Sequence, residues 1–210
     1  MLDRYKTVRQ AGSKEIVIKK SRFIGHVMPV ESEEEAVAFI EEIKKKHWNA
    51  THNCSAYMIG ERDEIQKQSD DGEPSGTAGK PILEVIRNQG RKNVAIVVTR
   101  YFGGIMLGAG GLIRAYTDGA VAAIESGEPI TRVLHREILV ELDYTWLGKV
   151  ENELRNRGVR MGETNFADTV TLTCLPLDGD AESFMTRMVD LTQGQSLITE
   201  GERLYFIEGE

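Results

Sequence analysis

The run Val94-Ala-Ile-Val-Val-Thr-Arg-Tyr-Phe-Gly-Gly-Ile-Met-Leu-Gly-Ala-Gly-Gly-Leu-Ile-Arg-Ala-Tyr116 limits what this chain can fold into more than any other stretch. Val94 to Val98 is an unbroken, β-branched apolar segment of strand length. The glycines Gly103, Gly104, Gly108 and Gly110 follow. Apolar residues then recur at helical spacing, at Leu112, Ile113, Tyr116, Ala120, Ala123 and Ile124, until Gly127 ends the pattern. A strand that enters a helix through such a turn leaves unpaired N–H groups at the helix start, and Gly110 and Gly111 allow a close approach by a phosphate or carboxylate. Arg100 and Arg114 are placed to clamp that anion bidentately, with Lys80, Tyr101 and Phe102 as further contacts. The competing reading is that the glycines serve only a sharp crossing and close helix–sheet packing. A turn built only for packing has no use for two guanidiniums, so both readings stand at this point.

Better-known glycine loops are excluded. A dinucleotide fingerprint needs glycine where Ile113 stands, and a P-loop needs Gly-Lys-Ser/Thr where Gly79-Lys80 is followed by Pro81. A second candidate loop is Gln68-Ser-Asp-Asp-Gly-Glu-Pro-Ser-Gly-Thr-Ala-Gly79, too polar and too rich in glycine to pack as a regular element. Its carboxylates, Asp70, Asp71 and Glu73, are close enough to hold a divalent cation. Their spacing is not that of an EF-hand, and Asx turns with helix capping explain them more simply. Ser75 and Thr77, with Lys80, are suited to a phosphate contact. His47, His52 and Cys54 lack the fourth ligand that zinc needs. A Cys54–His52 nucleophile pair has no orienting third group, and Trp48 is expected to pack, with base stacking as the alternative. No metal and no cofactor are expected.

The segment Thr99 to Gly108, with Gly90 and the strand before it, resembles the signature of the Impact family in its bacterial YigZ/YvyE branch. Lys20-Ser-Arg-Phe-Ile-Gly25, His47 to Tyr57 and Ser69 to Pro81 resemble the other three blocks of that family, in the same order. The resemblance implies an α+β protein. Its N-terminal domain would be like the second domain of ribosomal protein S5 and domain IV of elongation factor G. A ferredoxin-like domain similar to domain V of that factor would follow. It also implies a link to translation, because the eukaryotic relatives act in translational control through protein partners. Over the last third the likeness is one of arrangement and not of motif.

Composition narrows the setting. With 210 residues and 40% hydrophobic content the chain can build two small cores. No run is long and apolar enough to span a membrane and no secretory leader is visible, so a cytoplasmic protein without membrane contact is expected. Cys54 and Cys174 are far apart, as suits lone thiols in a reducing compartment. The net charge is −7, unevenly placed: 18 Lys/Arg face 18 Asp/Glu up to Ile130, and 8 face 15 beyond it. Nucleic acid would therefore be met by a local patch of the first half, such as Lys14, Lys19, Lys20 and Arg22 or Arg87, Arg91 and Lys92, rather than by the whole molecule.

A boundary is expected at Glu128-Pro-Ile-Thr131, dividing the chain into residues 1–130 and 131–210. Before it, short β-prone segments at Tyr5–Val8, Glu15–Lys19 and Phe23–Pro29 precede a helix announced by Ser32-Glu-Glu-Glu35. Strands at Asn53–Ile59 and Ile65–Gln68 and a short helix from Ile82 to Gln89 lead to the central run. Beyond the boundary, strand Ile138–Tyr144, a helix capped by Thr145, a hairpin, a helix after Asp180 and a strand at Leu204–Ile207 give the order β-α-β-β-α-β. Two function classes follow. One is a non-enzymatic protein that binds RNA, the ribosome or a translation-related protein through its first domain. The alternative is a nucleotide- or sugar-phosphate-binding enzyme using the glycine-rich loop 103–111 and the acidic loop 70–73.

Overall fold

The structure, a computed structural model, describes residues 1–210. It is α+β, with two five-stranded sheets. Strand β1 (Arg4–Val8) is followed by β2 (Gly12–Ile18), β3 (Ser21–Pro29), helix α1 (Glu33–Lys46), β4 (His52–Ile59), β5 (Ile65–Ser69), α2 (Gly79–Asn88), β6 (Val94–Tyr101) and α3 (Gly108–Ser126). Strands β2 to β6 form one sheet in the order β2-β3-β6-β4-β5, with every pair antiparallel.

The unbroken apolar run of β6 has a direct cause: both faces of this central strand are covered. Val94, Ile96 and Val98 pack with Ile82 and Ile86 of α2 and with Tyr116, Ala120 and Ile124 of α3. Ala95 and Val97 pack with Ala36, Phe39, Ile40 and Ile43 of α1 on the opposite face. Helix α1 starts as its sequence requires. Ser32 Oγ accepts from the Glu35 N–H at 3.2 Å, and the Glu35 carboxylate accepts from the Glu31 N–H at 2.7 Å. Lys44, Lys45 and Lys46 end it, complementing the helix dipole. In α2, Pro81 lies in the first turn, where a missing N–H costs nothing.

The second sheet is built from β7 (Pro129–Leu142), β8 (Arg160–Phe166), β9 (Val170–Leu175) and β10 (Leu197–Ile207), with α4 (Tyr144–Asn156) and α5 (Ala181–Leu191) between them. The strands lie in the order β10-β7-β9-β8, all antiparallel, and β1 is the fifth strand. Ile138, Val140, Leu142, Val150, Leu154, Leu172 and Met188 form its core. By contact, Met1–Arg4 with Arg132–Glu210 make one compact unit and Tyr5–Thr131 the other. The first residues join the second unit through the Leu134 N–H, which donates to the Asp3 carbonyl at 2.8 Å, and the Tyr205 hydroxyl, which donates to the Leu2 carbonyl at 2.7 Å.

At the expected boundary Pro129 begins β7, the first residue of a strand being a position that tolerates proline. Two expectations are corrected. Strand β10 begins at Leu197 and not Leu204, since it runs beside β7 from Glu141 back to Arg132. The cap of α4 is Asp143, whose carboxylate accepts from the Thr145 N–H at 2.9 Å, so Thr145 lies inside the helix.

Candidate functional site

Strand register sets the site. Phe23, Arg100 and His52 lie opposite one another across β3, β6 and β4, so the three side chains share the face that carries α2 and α3. The acidic loop after β5 folds onto this row. Its Glu73 carboxylate is 3% exposed and meets the Arg100 guanidinium, 7% exposed, with Nη1 donating to Oε1 at 2.7 Å. The Tyr116 hydroxyl of α3 donates to the same oxygen at 2.8 Å, and His52 Nε2 lies 3.7 Å from the other one. Burial pushes the Tyr116 phenol pKa well up, so the hydroxyl stays a donor. Arg100 is further sandwiched at 5.5 Å from the ring centroids of Phe23 and Phe102, and its Nε is buried without a partner.

The remaining carboxylates of the loop are also committed. Asp70 accepts from the N–H groups of Gly76, Ala78 and Gly79 at 2.9, 3.1 and 2.8 Å. Burial raises its pKa, but the N–H groups of Gly76, Gly79 and Ala78 outweigh burial and hold it below the usual carboxylate range. Asp71 accepts from the Asn53 N–H at 2.7 Å, and its carbonyl accepts from His52 Nδ1 at 2.7 Å. Thr77 Oγ1 donates to the Pro74 carbonyl at 2.6 Å, whereas Ser75 is exposed. The loop thus closes on itself and on the sheet.

Cys54 lies one row deeper, donating its thiol to the Asp70 carbonyl at 3.0 Å. Burial first, and then the negative charge of Glu73, push its pKa up to about 12. Burial and the bond to the Asp70 carbonyl thus disfavour a nucleophilic thiolate at Cys54. No group of three or more His, Cys, Asp or Glu side chains is arranged to hold a metal ion.

The second loop, after β6, is different. Phe102, Ile105 and Met106 are exposed, Met106 by 82%. Helix α3 begins at Gly108, so Gly108, Gly110 and Gly111 form its first turn instead of preceding it, with no side-chain cap and no acid there. A Cβ on Gly103 would fall 2.1 Å from the Lys20 main chain, so Gly103 is needed for packing. A Cβ on Gly110 would meet nothing within 4 Å, and one on Gly111 would meet only Leu107 Cβ, at 3.1 Å. Gly104 and Gly108 have φ of +82° and +70°, the left-handed region that favours glycine. Arg114 is exposed and donates through Nε to the Gly110 carbonyl at 3.3 Å. Lys80 is exposed at the start of α2.

The structure therefore does not pair Arg100 with Arg114 around a common open space. Arg100 is held by Glu73, and Arg114 lies on the surface of α3. Sequence reasoning offered no partner for Arg100, because a contact between residues so far apart in sequence leaves no local pattern.

The other face of the sheet carries groups that the sequence did not single out together. His26 and His47 stack with ring centroids 5.0 Å apart, and the Nε2 atom of each is buried without a partner. His47 Nδ1 lies 2.9 Å from the Tyr101 hydroxyl, and the Arg22 guanidinium sits 5.2 Å over the Tyr101 ring. Burial, with His47 and Lys46 nearby, lowers the His26 pKa to about 4. Trp48, expected to pack, is 82% exposed just beyond the end of α1. The loop holding it is tied to the end of β6 by Thr51, whose N–H donates to the Arg100 carbonyl at 2.8 Å and whose Oγ1 accepts from the Phe102 N–H at 3.0 Å.

Fold and site define a two-domain α+β protein whose first domain carries a sealed polar cluster under an open, apolar, glycine-rich helix start. Residues 19–124 match the Impact N-terminal domain, and residues 140–195 match a domain of unknown function, DUF1949. The chain belongs to the Impact family. It is 52% identical to IMPACT family member YvyE of Bacillus subtilis over 98% of this chain and 94% of that one. To IMPACT family member YigZ of Escherichia coli it is 36% identical, over 84% and 88%. Protein IMPACT of Mus musculus is 38% identical over 44% of this chain and 30% of its own length. A solved structure titled "Crystal structure of an hypothetical protein" superposes with a TM-score of 0.61 at 28% identity, over 96% of this chain and 99% of that one. No helix is long and apolar enough to cross a membrane.

Proposed function

We propose that this protein is a non-enzymatic regulator linked to translation, binding RNA or a ribosomal or translation-related partner through its first domain. One contrast carries the reading. The polar groups suited to catalysis, Asp70, Asp71, Glu73, His52 and Cys54, are bonded to one another or to the main chain, while the groups suited to contact are on the surface. Those are Phe102, Ile105, Met106, Trp48, Arg114, Lys80 and the uncapped start of α3. Exposed aromatic and thioether side chains suit stacking and surface cations suit phosphate contact, and a helix start without side chains in the way suits a phosphate. Membership of a family that includes the eukaryotic IMPACT proteins agrees with a regulatory role.

The enzyme reading needs Asp70, Asp71 or Glu73 to act as base or metal ligand, and Glu73 is held by Arg100 and Tyr116 while Asp71 accepts from the Asn53 N–H. Asp70 already accepts main-chain N–H groups at both oxygens, and freeing it would open the loop. The test is co-sedimentation of the purified protein with ribosomes and with unrelated RNA at low salt. Association is expected, weakened by Met106→Ala and Phe102→Ala. Arg114→Ala is expected to lower the salt slope by roughly one phosphate contact. Absence of association with RNA and ribosomes at low salt overturns the proposal.

A further inference from the structure

The second domain is acidic overall, yet three of its basic residues gather at one cavity. This cavity, of about 450 Å³, is lined by Arg157, Arg160 and Arg187, with Ser183, Val159 and Leu177 among the other residues around it. Arg157 follows the end of α4, Arg160 opens β8, and Ser183 and Arg187 stand one turn apart on α5. The tertiary fold therefore brings these cations together from three elements. Their local acids do not cancel them: one carboxylate, Glu153, accepts from both Arg157 Nε and Arg187 Nη1, the latter at 3.4 Å. Arg160 lies over the Phe206 ring, 4.2 Å from its centroid, and gives Nη1 to the main-chain oxygen of Glu210 at 2.6 Å. Asp180 is the one carboxylate in the lining itself, and Ser183 Oγ donates to the Asp180 carbonyl at 2.9 Å, which leaves the Ser183 oxygen as part of the rim.

We infer that this cavity of the second domain binds a small phosphate ester of mononucleotide size. Three guanidiniums around one space outnumber the two carboxylates beside them, Glu153 and Asp180, and match a phosphate dianion with three outer oxygens. The volume lies within the range of small-molecule sites, about 300–1,000 Å³, and is larger than an inorganic anion needs. Val159 and Leu177 provide apolar wall for the remainder of the molecule. The inference is independent of the proposed first-domain surface, because every lining residue belongs to the unit made by Met1–Arg4 and Arg132–Glu210.

Titration calorimetry of the full chain with AMP and with inorganic phosphate tests it. Saturable binding of either probe is expected, weakened roughly tenfold or more in each of Arg157→Gln, Arg160→Gln and Arg187→Gln, as loss of a charged hydrogen bond implies. Arg155→Gln, an exposed change on α4 outside the cavity, is expected to leave binding unchanged. Thermal melts identify any variant that has lost its fold, and affinity is then read from those that melt as the wild type does. Three results overturn the inference: no saturation by either probe at millimolar concentration, binding as sensitive to Arg155→Gln as to the cavity arginines, or binding lost in Arg114→Gln but not in the cavity variants. Citrate binding with the same arginine dependence, while both phosphate probes fail, overturns the choice of a phosphate.

Discussion

Two glycine-rich loops meet at Arg100, and they use the same kinds of residue in opposite ways. In the loop after β5, every carboxylate takes main-chain or side-chain donors, so its polarity holds the fold together. In the loop after β6, the apolar side chains Phe102, Ile105 and Met106 face outward and the helix start behind them is uncapped. Phe102 joins the two, since its ring covers Arg100 while its other side is in solvent. A group is available for a partner only if the fold has not already satisfied it, and that condition separates the side chains of the second loop from those of the first.

The largest expected effect sharpens this contrast at Glu73. Glu73→Ala leaves the Arg100 guanidinium buried without its counter-charge, and destabilisation by about 3–5 kcal/mol is expected in urea unfolding. A loss under 1 kcal/mol would mean that the acidic loop is not the structural one. Next is Asp70→Asn, which replaces three charge-assisted hydrogen bonds and is expected to cost about 1.5–3 kcal/mol at neutral pH. Its pH dependence has a definite sign. The folded pKa of Asp70 lies below that of an unfolded chain, near 3.9, so its contribution is full above that pH and is lost as pH falls through the folded value. Wild type and Asp70→Asn should therefore converge in stability on the acid side, and a constant gap down to acid unfolding would contradict the assignment.

Glycine substitutions separate packing from contact within the loop after β6. Gly103→Ala puts a Cβ against the Lys20 main chain and is expected to cost about 1–3 kcal/mol. Gly110→Ala meets nothing and improves helix propensity, so a gain of up to about 1 kcal/mol is expected in the same melts. If Gly110→Ala weakens RNA or ribosome association while raising stability, the glycine serves a partner; equal association would assign it no part in contact. The smallest stability effect is expected for Met106→Ala, within about 0.5 kcal/mol, since its side chain packs against little. A large loss of stability there would show that the apolar loop belongs to the core.

Much of this was legible in the chain. Ser32 with Glu35, the β-branched run of β6 and the alternation from Ile138 to Leu142 are local signals, and local signals fix local geometry. Trp48 was misread for the same reason: an aromatic residue carries no mark of exposure, and its position beyond the last turn of α1 is set by where that helix lands on the sheet. The extent of β7 and β10 was also hidden, because each is extended by pairing with the other and not by its own residues.

By itself the sequence determined the kinds and order of elements, the two-part charge distribution and the family, since these depend on periodicity, composition and contiguous motifs. Only the tertiary structure decided which charges are used up and which remain. Arg100 meets Glu73 because β4 and β6 pair with His52 opposite Arg100 and because the loop after β5 folds back over that row. Arg157, Arg160 and Arg187 share a cavity because α4, β8 and α5 converge there. Pairing across such separations is fixed by strand register and helix packing, which no window of neighbouring residues encodes.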